Sequence, residues 1–145
     1  MNWSGFWQFA RSAQFRFYQE RDLGLDLYHN GWPGVALGIL AVALGVVFLL
    51  TIFHVIPGRR HVTSLLLGLG LAAAVTGFGT SYAHWNDLAA VEARIIRDTA
   101  GPRPASEEQR AAVVVIPLIL GLATLAGGGL GCLYMAVFWA TGKKA

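Results

Sequence analysis

From residue 34 onward the chain alternates between apolar runs and polar intervals. Gly34 to Pro57, Val62 to Asn86 and Ala111 to Gly142 contain no Asp, Glu, Lys or Arg. Each exceeds the roughly 20 residues that a helix needs to cross about 30 Å of hydrocarbon. A water-soluble chain of 145 residues has no outer layer of protein in which to bury three helices that are apolar all round. The pattern therefore predicts an all-α integral membrane fold with three transmembrane helices, at about 34–56, 62–85 and 111–141.

The polar intervals predict what joins these spans. Residues 1–32 interleave Trp3, Phe6, Trp7, Phe9, Phe17 and Tyr18 with Arg11, Arg16 and Arg21. That spacing suits an amphipathic helix lying in the headgroup layer, and it equally suits a helix packed against the spans. Asn30-Gly31-Trp32-Pro33 reads as a turn, with proline tolerated at a helix start. Between spans one and two, Pro57 and Gly58 stop one helix, and Arg59 and Arg60 anchor a tight antiparallel turn among phosphates. After span two, Leu88, Val91, Ile95 and Thr99 recur at helical spacing among charged residues, so helix two should continue outside the bilayer, either projecting or bending onto its surface. Gly101-Pro102 ends that pattern, and Ser106 to Gln109 reads as a capping box opening helix three. Residues 86–110 thus form an extramembrane helical hairpin, and Pro117 is expected to free a carbonyl and kink helix three. Domain organisation follows as an interfacial segment, 1–32, and a membrane domain, 33–145.

Composition agrees: 55% of residues are hydrophobic and 13% charged, with a mean hydropathy of +0.53, too apolar for a soluble domain of this size. Where the charges sit says more than the net of +3. Arg59, Arg60, Lys143 and Lys144 flank one side of the membrane without acids, whereas the other side mixes arginines with all the acids. Short, acid-free basic flanks place the C-terminus in the cytoplasm and the N-terminus outside, as in a bacterial inner membrane. Trp32, Arg59, Arg60, Trp85 and Trp139 are the expected interfacial anchors. Ser4, Gln8 and Arg11 punctuate the N-terminus, so the first span is expected to direct insertion itself. The single cysteine, Cys132, lies inside the third span and is read as a small packing residue.

The third span carries the sequence "GLATLAGGGLGC" from Gly121 to Cys132. Glycine is a poor helix former in water, but in lipid, where no hydrophobic drive brings helices together, small residues allow the close backbone approach that does. Helix three supplies Ala123, Gly127, Gly128 and Gly131. Helix two supplies Gly68, Ala72, Thr76 and Thr80, flanked by Gly77. The broad small faces exceed what one antiparallel neighbour needs. They predict association with further copies or with other membrane subunits, set against the simpler possibility of packing within one protomer.

No Asp, Glu, Lys or Arg lies in the apolar cores of the spans, which argues against a self-contained pump or an intramembrane acid–base enzyme. His29 and His84 fall at one interface and His54 and His61 at the other, which disfavours haem ligation at mid-membrane. No phosphate loop and no sign of nucleic-acid binding is present. No cofactor is expected, and the bilayer itself is the first partner. Thr76 and Thr124, near mid-depth, are candidate pore or partner-binding residues, although such threonines commonly hydrogen-bond the carbonyl one turn back.

The order "GWPGVALGILAVALG", "RRHVTSLLLGLGLAAAVTGFGTSY" and "LILGLATLAGGGLG" over residues 31–140 resembles a shortened MotA/TolQ/ExbB proton-channel subunit. The resemblance implies a ring of subunits around single-span partner helices that carry the proton on their own aspartate, with Thr76 and Thr124 facing the pore. The chain departs from that family in having only "PGRRH" where a large cytoplasmic domain would lie, and in lacking an acid one turn before Thr124. Three functions follow as expectations: a non-enzymatic, oligomer-forming membrane protein of proton-channel-like type; an accessory subunit docking on a larger membrane complex; and a metal- or cofactor-binding protein using the interfacial histidines.

Overall fold

A computed structural model describes residues 4–5, 7–8, 30–53, 59–98 and 107–142. Four helices organise these residues, with no strand among them: α1 (Trp32–Ile52), α2 (Arg59–Asn86), α3 (Leu88–Asp98) and α4 (Glu107–Gly142). Three of them, α1, α2 from Arg60 and α4 from Arg110 to Thr141, are long and apolar enough to cross a membrane. At 1.5 Å per residue the 21 residues of α1 extend about 31 Å, one hydrocarbon thickness. Their outward surfaces carry large apolar side chains, among them Val42, Leu71, Val75, Leu130 and Val137. That exposure fits an integral membrane protein, because lipid is a good solvent for it.

Local chemistry explains the helix ends. Gly31 precedes α1 with φ +67°, a conformation that costs glycine little, and Pro33 stands in the first turn, where no intrahelical donor is lost. The helix begins at Trp32 and ends at Ile52, before the sequence boundary of 56, with the Phe53 N–H donating to Leu49 O at 3.0 Å. Between α2 and α3 only Asp87 leaves the helical pattern. Its N–H still donates to Ala83 O, and its carbonyl accepts from Val91 N at 3.2 Å. Asp87 Oδ1 also accepts the Ala90 N–H at 3.1 Å, capping the new helix. The amphipathic N-terminal helix, the turn at 54–58, the Gly101-Pro102 break and the Ser106 cap lie outside the described residues, apart from Ser4, Gly5, Trp7 and Gln8, which are helical.

α2 and α4 form the main antiparallel pair, and α1 lies against both. At the end near Arg60, Leu44, Val62, Leu66 and Met135 make a core, with Val47, Phe48, Leu69 and Cys132 packed around it. At the opposite end, residues 111–117 of α4 are buried all round. α3 contributes there through Val91 and Ile95, which pack on Val113, and through Glu92, whose carboxylate pairs with Arg110 at 3.4 Å. This pair, about one-third exposed on each side, contributes under about 1 kcal/mol, so the apolar contact is what seats α3.

Candidate helix-association faces

The seam between α2 and α4 is built from absent side chains. Leu66, Gly70, Ala73, Gly77 and Thr80 are buried on α2, and Gly121, Thr124, Gly128, Gly131 and Met135 on α4. A Cβ on Gly121 would stand 2.7 Å from Ala73 O and 3.2 Å from Gly77 Cα, and one on Gly128 would stand 2.6 Å from Leu66 O. A Cβ on Gly77 would run into the Pro117 carbonyl oxygen. No side chain fits at these points without the backbones parting. Gly131 receives Leu66 and Phe48, and Gly127 receives Leu44, so these glycines also seat α1.

The spacing within the seam alternates three and four residues on both helices. This is the period of shallow-angle, left-handed pairing, and it differs from the unbroken four-residue ladder of right-handed small-residue dimers. The choice of period sorts the residues singled out from sequence. Gly77, Gly128 and Gly131 lie in the seam and Gly127 on α1, whereas Gly68, Ala72 and Ala123 are exposed.

The outward arc of α2 is itself divided. Leu67, Leu71, Val75, Phe78 and Tyr82 occupy one flank, where the Phe78 and Tyr82 rings stack with centroids 6.5 Å apart. The other flank carries Gly68, Ala72, Gly79 and Ala83, all exposed, with half-buried Thr76 along its edge and exposed Leu65 at its Arg60 end. A Cβ on Gly68 or Gly79 would meet nothing within 4 Å. Small residues four and seven apart thus make a shallow trough along α2 that the other described residues leave uncovered.

The hydroxyls of the spans are mostly turned inward on their own helices. Thr124 is buried in the seam and donates to Leu120 O at 2.7 Å. Thr51 and Thr80 bond likewise to Val47 O and Thr76 O, each at 2.7 Å. Ser81 departs from this habit: 2% exposed, its Oγ has no hydrogen-bond partner among the described residues. Cys132 Sγ lies 3.8 Å from Thr63 O at the α2–α4 contact. Trp32, Arg60 and Trp139 are exposed and Trp85 half-buried. Trp32 and Trp85 sit towards one end of the bundle and Arg60 and Trp139 towards the other. Arg59 opens α2.

One polar contact was not singled out in the sequence. Proline at 117 removes the donor that Val113 O would receive in a continuous helix. His84 Nδ1 lies 3.4 Å from that oxygen. His61 is exposed on α2, and His29 and His54 lie outside the described residues. Among the described residues no three His, Cys, Asp or Glu side chains gather as a metal site.

Comparison with family models, with curated proteins and with solved structures finds no match to this chain.

Proposed function

We propose that this is a non-enzymatic inner-membrane protein that self-associates through the small flank of α2, with the N-terminus outside and the C-terminus in the cytoplasm. The observation that carries the reading is the split of the exposed arc of α2. Bulky side chains cover the flank suited to acyl chains, while Gly68, Ala72 and Gly79 leave a trough beside them. In lipid, such a trough lets another helix approach with its backbone, and the contact gains dispersion and weak Cα–H···O interactions that acyl chains fit less well. Gly121, Gly127, Gly128 and Gly131 of α4 are already engaged with α2 and α1, which favours α2 as the association face. The acid-free basic flanks, Arg59, Arg60, Lys143 and Lys144, support the orientation.

The resemblance to MotA/TolQ/ExbB subunits gives a second reading, in which the trough seats single-span partners and Thr76, at its edge, faces the conducting path. Docking on a larger unrelated complex is the accessory-subunit form of the same surface. Native mass spectrometry of gently extracted protein separates these readings. Integer multiples of the protomer mass are the expected result, added mass from unrelated chains favours the accessory reading, and protomer mass alone overturns self-association.

A further inference from the structure

A buried carbonyl oxygen stripped of its donor costs free energy unless something else reaches it. Val113 O is such a group, because residue 117 is proline. Among the described residues a side chain of another helix reaches it: His84, 29 residues away in sequence. The register explains the meeting. Gly70 packs against Leu125, and Gly77 against Pro117 and Gly121, so two further turns along α2 bring residue 84 level with residue 113. The glycine at 77 lets Pro117 approach closely enough for the imidazole to arrive. A carbonyl can only accept, so a hydrogen bond here requires Nδ1 to be the protonated ring nitrogen.

We propose that His84 is a positioning residue that clamps the Pro117 joint of α4, its Nδ1–H standing in for the backbone donor that proline removes. Val113 is tied twice: its carbonyl to α2 through His84, and its side chain to α3 through Val91 and Ile95. The clamp therefore ties α2 and α3 to the same residue of α4.

The test uses full-length protein with ¹⁵N-labelled histidine in micelles, at a pH where the ring is neutral, the His84 signal being assigned by its loss in His84→Asn. Wild type should show the Nδ1–H tautomer, which water does not favour, and Pro117→Ala should shift His84 towards the Nε2–H form, because the restored N–H at 117 reclaims Val113 O. In an unfolding cycle, His84→Ala should lower the folded-to-unfolded ratio about threefold, the average for an interhelical hydrogen bond in a membrane. The loss should vanish in the Pro117→Ala background, and His84→Asn, which keeps a donor near the Nδ1 position, should retain most of the stability. An Nε2–H tautomer in wild type, or an equal loss from His84→Ala in both backgrounds, overturns the proposal.

Discussion

Gly121→Ala is the smallest change that probes the seam. The new methyl would stand 2.7 Å from Ala73 O, with Gly77 Cα at 3.2 Å and Ala74 Cα at 3.3 Å. All three are backbone atoms of α2, so no rotamer change relieves the overlap and the helices must separate. Reaching ordinary van der Waals contact requires a retreat of roughly 0.7 Å, a gap that forfeits a quarter to a half of each dispersion well along the contact. Overpacking of this kind costs about 1–3 kcal/mol, which lowers the folded-to-unfolded ratio roughly 5- to 150-fold. The assay is reversible unfolding by steric trapping in bicelles at protomer dilution. Gly45→Ala and Gly129→Ala serve as controls, because a Cβ at either meets nothing within 4 Å. A twofold or smaller effect of Gly121→Ala, or equal losses from the controls, refutes the close-approach explanation of the glycines.

Two more outcomes follow from the end of the bundle where α3 docks. Ile95→Ala removes one of the buried side chains that hold α3 on Val113. A local loss of about 2 kcal/mol should speed amide exchange of residues 88–98 roughly 30-fold, leaving the seam around Gly70 unchanged. Glu92→Gln breaks a 3.4 Å pair that is about one-third exposed on each side, and the same exchange measurement should move by less than about fivefold, less still at high salt.

The three spans were legible because an uncharged run of some 20 residues has few other readings, and the helical character of 88–98 because Val91 and Ile95 recur four apart among charges. The faces were less legible. Helix two carries adjacent ladders of small residues, one through Gly68 and Ala72 and another through Ala73 and Gly77, and composition cannot say which meets α4. The decision rests on crossing hand: alternating three- and four-residue steps put Gly70, Ala73, Gly77 and Thr80 inside and leave Gly68 and Ala72 outside, so the four-residue ladder Gly68, Ala72, Thr76 and Thr80 is divided between the seam and the outward face. Thr124 and Thr76 looked equivalent by depth, yet one lies within the seam and the other on the edge of the outward trough. The role of His84 was invisible for a related reason. A free carbonyl at Val113 could be deduced from Pro117 alone, but the side chain that meets it depends on a register that pairs residues 29 apart.

The central claim is that the trough of α2 packs against the same trough of a second copy. Oxidative cross-linking of single cysteines in native membranes, on a Cys132→Ser background, tests it most directly, because cysteine is small enough to sit in the trough without filling it. Gly68→Cys, Ala72→Cys and Gly79→Cys should yield a covalent dimer, while Leu67→Cys, Leu71→Cys and Phe78→Cys on the bulky flank should not. Dimer from the bulky flank to the same extent, or none from the small flank, would contradict the account.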